Sequence, residues 1–198
     1  MDTKQSLLWV LVLMLAAGPA MAGKKIEYSF GELGYQRQDS DAIVQQGVGV
    51  NIWGAVHDYL HLRFGYQRGF IDKLDKQNAS GDNDEFSFGA GGNYSVHKKV
   101  DIVVGAVAVY DVERFTGTTT RKKTEEWGYR ADVGIRAKPH KKLEINGGYL
   151  RDDVRGGRNG GFIGGVLDVT KKLSATLKGT FLDKDDEWRI FAGGRLNF

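Results

Sequence analysis

Trp188-Arg-Ile-Phe-Ala-Gly-Gly-Arg-Leu-Asn-Phe198 decides the fold. Side chains alternate across an extended chain with a period of two, so Trp188, Ile190, Ala192, Leu196 and Phe198 share one face. Glu187, Arg189 and Arg195 share the other. A strand with one apolar and one ionic face hides one of them from water. Alternation alone leaves open which, because a soluble barrel or sandwich turns the apolar face inward and a membrane barrel turns it outward.

The same period recurs upstream. Val48, Val50 and Ile52 alternate with Gly47, Gly49 and Asn51; Leu60, Leu62, Phe64 and Tyr66 alternate with His61, Arg63, Gly65 and Gln67. Phe86, Phe88, Ala90 and Tyr94 oppose Glu85, Ser87 and Asn93, and Trp127, Tyr129, Ala131, Val133 and Ile135 oppose Arg130, Asp132 and Arg136. Leu173, Ala175, Leu177 and Phe181 oppose Ser174, Thr176 and Lys178. The pattern predicts about ten strands, at roughly 25–38, 43–55, 59–70, 85–96, 99–111, 127–138, 142–152, 161–169, 172–183 and 187–198, each near the length that crosses a bilayer at a tilt.

A repeated turn supports this count. His57-Asp-Tyr-Leu-His-Leu-Arg-Phe-Gly65, His97-Lys-Lys-Val-Asp-Ile-Val-Val-Gly105, His140-Lys-Lys-Leu-Glu-Ile-Asn-Gly147 and Thr170-Lys-Lys-Leu-Ser-Ala-Thr-Leu177 each read as a tight polar turn feeding a strand. The connections between them, Ile71 to Asp84, Val112 to Glu126 and Asp153 to Gly160, read as longer loops rich in Gly, Asn, Thr and charge. Short turns on one side and longer loops on the other are the asymmetry of outer-membrane barrels.

At the start, Lys4 precedes the unbroken apolar run Leu7 to Ala17, and Ala20-Met21-Ala22 supplies a small-x-small cleavage site. The run falls short of the roughly 20 residues a membrane helix needs. Residues 1–22 are therefore expected to be a signal peptide and residues 23–198 a single barrel domain. Cysteine is absent, which excludes disulfides and thiolate metal sites. The 28 basic and 25 acidic residues are interspersed, which argues against a nucleic-acid binder with one basic face.

Arg63, Glu85, Asp101, Arg130, Asp132, Arg136, Glu144, Lys178, Arg189 and Arg195 occupy the polar face at regular strand positions. Their mixed signs suit a lumen filled by side-chain networks. Tyr28, Tyr66, Tyr94, Tyr110, Trp127, Tyr129, Tyr149, Phe181 and Trp188 fall toward strand ends, as in interfacial aromatic girdles. The reading is all-β: an antiparallel transmembrane β-barrel closed between its first and last strands, since open edges in hydrocarbon would leave backbone amides unpaired. In the first strand Tyr28 and Phe30 share one face and Leu33 and Tyr35 the other, so a bulge near Gly31-Glu32 is expected.

The opening Tyr28-Ser-Phe-Gly-Glu-Leu-Gly-Tyr35, the repeated hairpins and the closing segments Asp186-Glu-Trp-Arg189 and Arg195-Leu-Asn-Phe198 resemble the small Ax-type outer-membrane proteins, and more broadly the OmpA/OmpX-like barrel superfamily. The resemblance implies location in the outer membrane of a Gram-negative bacterium. It also implies a terminal strand, ending on Phe198, that resembles the signal read by the outer-membrane assembly machinery.

Catalytic chemistry is not expected. His57, His97 and His140 fall in the short turns and His61 just above one, all on the side opposite an outer-rim active site. Dispersed histidines make no metal site, Asp183, Asp185, Asp186 and Glu187 lack the spacing of a calcium loop, and no cofactor motif is present. The leading expectation is a monomeric, non-enzymatic barrel with a structural or surface-interaction role, whose partners are membrane lipid, lipopolysaccharide and the assembly machinery. Arg114, Arg121, Lys122, Lys123, Arg151, Arg155 and Arg158 are the candidate contacts to lipopolysaccharide phosphates. A narrow porin-like channel for small ions or solutes is the alternative, with Arg63, Arg130, Arg136 and Arg189 favouring anions. A soluble periplasmic β protein is the third.

Overall fold

The computed structural model describes residues 26–40, 43–74, 80–116, 121–154, 156–184 and 186–198, so the expected signal peptide lies outside the described residues. Ten strands form: β1 (Phe30–Asp39), β2 (Ile43–His57), β3 (Leu60–Leu74), β4 (Ser80–His97), β5 (Val100–Thr116), β6 (Arg121–His140), β7 (Leu143–Asp152), β8 (Arg158–Asp168), β9 (Leu173–Leu182) and β10 (Glu187–Asn197). Each pairs antiparallel with its neighbours in sequence, and β1 pairs with β10 from Phe30 opposite Asn197 to Asp39 opposite Trp188, closing the barrel. The fold class is the one expected.

The orientation of the faces settles what alternation left open. Leu33, Phe88, Trp127, Ile163, Leu177 and Phe181 point outward, with 60% of Leu33 and 72% of Trp127 exposed. Glu32 and Asp152 are fully buried inside, and Arg63, Arg136 and Arg195 nearly so. A soluble barrel has the reverse arrangement. The ten residues of β7, tilted by about 40°, rise roughly 25 Å, the height of the apolar band on outer-membrane barrels.

Three sequence expectations need correction. Of the three segments read as long loops, 153–160 is a connection up to the start of β8 at Arg158, but 71–84 and 112–126 are mostly strand, since β4, β5 and β6 run to 18, 17 and 20 residues. There Asp82, Asn83, Asp84, Glu113, Arg114 and Glu125 replace the apolar alternation that marks a strand in a membrane. β6 meets β7 only from Arg130, opposite Asp152, so its upper part rises above β7.

The first strand begins at Phe30, later than expected, and runs without a bulge, in continuous register with both β2 and β10. The apolar sidedness needs no bulge because Tyr28 and Phe30 are buried inside while Leu33 and Tyr35 face out. Tyr28 is therefore no girdle residue. Register shifts fall elsewhere, at Val44/Gln45 and at the turn ends Ala55/His57, Ser95/His97 and Ala137/His140. The connection from β7 to β8 turns on Gly156 and Gly157, whose φ of 90° and 67° suits glycine.

Three of the four repeated short turns share one device. The Nδ1 atoms of His97 and His140 accept the amides of Lys99 and Lys142 at 3.4 and 3.3 Å, and Thr170 Oγ1 accepts that of Lys172 at 3.2 Å. A side chain that binds the amide two residues on imitates a backbone turn. The histidines thus stand where turn closure needs an acceptor.

Candidate functional site in the barrel lumen

Inward positions of eight strands supply two ion clusters with a cavity between them. Near the short turns, Glu32 of β1 takes Lys178 of β9 at 2.5 Å and Arg195 Nε of β10 at 3.0 Å. Arg195 also reaches Glu144 of β7 at 3.4 Å, and Glu144 holds Arg136 of β6 through three contacts of 2.8–3.0 Å. Two oxygens facing a planar guanidinium make this pairing directional as well as strong.

Aromatic rings fill the rest of this level. The guanidinium carbons lie 4.0 Å from the Phe30 ring for Arg195, 4.4 Å from Tyr28 for Arg136 and 4.1 Å from Trp53 for Arg63. Desolvated contacts of this kind contribute about 2 kcal/mol each. His61, which no site expectation included, is fully buried between Trp53 and Tyr28, with ring separations of 4.7 and 5.1 Å. Its Nε2 accepts from Arg63 Nε at 3.1 Å, and Arg63 Nη1 binds Asp132.

The segment before β1 closes this end. Tyr28 donates to Asp101 at 2.9 Å, the Glu27 carbonyl accepts from Arg136 at 3.1 Å, and Ser29 Oγ accepts the Ala55 amide at 3.2 Å. Ile26 and Tyr28 pack on Val103, Trp53 and Ala55. Residues 26–29 are thus folded into the mouth of the barrel.

The second cluster lies toward the opposite rim. Arg130 binds both oxygens of Glu85 at 3.1 Å, and Asp152 Oδ2 is shared by Arg130, Arg158 and Arg189 at 3.1, 3.3 and 3.3 Å. Glu187 accepts from Arg158 and Arg189. Above it, Gln45 donates to Asn83 at 3.3 Å and Asn83 to Asp111. Between the clusters is a cavity of about 250 Å³ lined by Arg63, Arg130, Arg136, Lys178 and Arg195, with Asp132 the acidic lining residue.

All ten side chains expected in the lumen lie inside. Glu32, Asp152, Arg158 and Glu187, which the sequence reading did not place there, join the same networks: Glu32 pairs with Lys178 and Arg195, Asp152 with Arg130, Arg158 and Arg189, and Glu187 with Arg158 and Arg189. Parity was the available signal for Asp152, which falls an even number of residues from Glu144 on β7.

The outer basic residues are less free than their sequence positions suggest. Arg158 is the first residue of β8 and is buried in the upper cluster, so it is no surface contact. Arg114 binds Asp82 and Asp84 at 2.9 and 2.6 Å, which holds its guanidinium pKa above the ordinary value. Lys123 pairs with Glu125, and Arg151 with Asp153 at 3.4 Å. Of Arg121 and Lys122 only the backbone is described, and Arg155 lies outside the described residues, as does Asp185. Asp183 accepts the Asn159 amide at 2.8 Å, a bond that lowers its carboxyl pKa.

No family model and no curated protein matches this chain. Solved structures do. OprG from Pseudomonas aeruginosa superposes with a TM-score of 0.54 at 11% identity, over 89% of this chain and 99% of that one. The fold is that of the small outer-membrane β-barrels. An outer-membrane channel from Pseudomonas putida F1 shares this barrel fold with a TM-score of 0.53 at 9% identity, over 91% of this chain and all of the other. The translocator domain of the autotransporter NalP from Neisseria meningitidis shares it at 0.50 and 13% identity, over 100% and 95%. At such identities the small outer-membrane barrel fold is what is common.

Proposed function

We propose that this chain is a monomeric, non-enzymatic integral barrel of the Gram-negative outer membrane, with a structural or surface-interaction role rather than a transport one. The observation that carries the reading is the lumen itself. Two networks of paired ions, an aromatic layer and the folded-in residues 26–29 occupy it, and barrels of about eight to ten strands are narrow enough for side chains to fill. The outward apolar face supports insertion into a bilayer. The histidines support the absence of catalysis: His97 and His140 brace turns, and His61 is enclosed by rings.

The test is conductance of the refolded mature protein in a planar bilayer. An inserted protein that gives no current is the expected result; reproducible ion-selective steps overturn it. The cavity and its cationic lining favour the second reading, a narrow anion channel, and the P. putida structure is that of a channel. In that case replacing Arg63, Arg130, Arg136 and Arg189 by glutamine reduces anion selectivity.

Membrane lipid, lipopolysaccharide and the assembly machinery are the proposed partners, the last through the strand that carries Phe198. Arg114, Lys123 and Arg151, with Arg121, Lys122 and Arg155, are the proposed lipopolysaccharide contacts. A phosphate must there compete with Asp82, Asp84, Glu125 and Asp153, so binding is expected to weaken steeply with salt. If lipopolysaccharide co-purifies equally after these six residues are changed to glutamine, the contact is lost as an idea.

A further inference from the structure

The repeated turns present a charge pattern that neither the lumen nor the outer rim uses. Lys98 and Lys99, Lys141 and Lys142, and Lys171 and Lys172 occupy the β4–β5, β6–β7 and β8–β9 connections, which alternate around one end of the barrel. All six are exposed. Among the described residues none of these lysines has a carboxylate partner; Lys99 Nζ donates to the Pro139 carbonyl at 3.2 Å, and the nearby Asp168 is taken by Lys138 at 2.9 Å. On the opposite rim, by contrast, Arg114, Lys123 and Arg151 are each bound to an acid.

Each pair also has a fixed place beside the apolar face. The amide caps from His97, His140 and Thr170 hold the turns. The outward side chains next to them are Val96, Leu143, Val169 and Leu173, each at least a third exposed. A lysine stem lies along such a surface while its ammonium reaches the polar layer beyond. In a bilayer that layer is the phosphate level of the nearer leaflet.

We propose that this lysine rim is a binding surface for anionic phospholipid headgroups of the leaflet on the short-turn side. The proposal rests on the membrane reading above. Three capped turns place paired ammoniums at the boundary of the apolar band, where a phosphodiester can take two of them and a zwitterionic headgroup offers less net charge. A lysine at an anionic membrane surface contributes about 1 kcal/mol, or roughly fivefold in local lipid concentration. The rim also gives the barrel an electrostatic sidedness, since Arg114, Lys123 and Arg151 at the other end are paired with acids.

The experiment uses the mature barrel in asymmetric vesicles of phosphatidylethanolamine with a minority of spin-labelled phosphatidylglycerol in one leaflet. Phosphatidylglycerol is expected in the motionally restricted lipid around the barrel at roughly fivefold its bulk share, only when labelled in the short-turn leaflet. Changing all six lysines to glutamine should return it to the bulk share, and changing them to arginine should keep it. Glycerol phosphate in solution should compete weakly, which separates a headgroup held at the interface from a site for free phosphate. Equal enrichment in both leaflets, or enrichment kept by the glutamine variant, overturns the proposal while the barrel stays inserted. Failure of the wild type to enter vesicles removes both this proposal and the membrane reading.

Discussion

Proline at either Phe191 or Ala192 is expected to abolish the folded barrel. The two residues are adjacent on β10, opposite Gln36 and Tyr35 of β1 and Lys178 and Leu177 of β9. Adjacent amides of an antiparallel strand point at opposite neighbours, so one is donated toward β1 and the other toward β9. In a closed sheet both are used. Proline removes a ladder hydrogen bond, and the acceptor stranded in hydrocarbon costs several kcal/mol. Phe191→Ala and Ala192→Val serve as controls for the side chains and should keep the heat-dependent gel shift that both proline variants lose. Tolerance of one proline but not the other would mean that β10 is an edge strand and the barrel is open.

Glu32→Ala is expected to lower unfolding free energy by about 3–5 kcal/mol, read as a fall in the urea midpoint in detergent. The carboxylate is fully buried and neutralises Lys178 and Arg195 together. Its loss leaves two cations with one acid, Glu144, which is already held by Arg136. The stabilising effect lies in the match of charges and not in the charge itself. Glu32→Leu combined with Lys178→Met and Arg195→Met should therefore recover most of the loss, because replacing a whole buried ionic set by apolar groups is often neutral. An unchanged midpoint for Glu32→Ala would show that the network carries no stability.

The strands were legible where one face meets an apolar environment and the other a polar one. That condition holds for most of the band-spanning stretches, although β5 and β8 also turn Val103, Val109 and Val166 inward. It fails above the band, where β4, β5 and β6 are polar on both faces and Asp82-Asn83-Asp84 or Lys123-Thr124-Glu125 carries no alternation. Those stretches look like loops because they lack an apolar face, and their pairing comes from the neighbouring strand. Hydropathy also mistook the inside for the outside at Tyr28 and Phe30, where the partners are the guanidinium faces of Arg136 and Arg195. Once those rings are taken as lipid-facing, Glu32 on the same side as Phe30 has no evident role. The ten lumen charges could be read from parity alone, but their pairing could not, since it joins residues as far apart as Glu32 and Arg195.

That separation bears on how the chain arrives at ten strands. A sheet of this curvature that closed early, with β1 against β8, would satisfy its backbone just as an eight-stranded barrel does. It would seal Glu32 inside with neither Lys178 nor Arg195, both of which belong to the final hairpin. The acid on the first strand therefore acts as a strand counter: the premature ring is penalised by an unmatched charge, and only the arrival of β9 and β10 releases the chain from it.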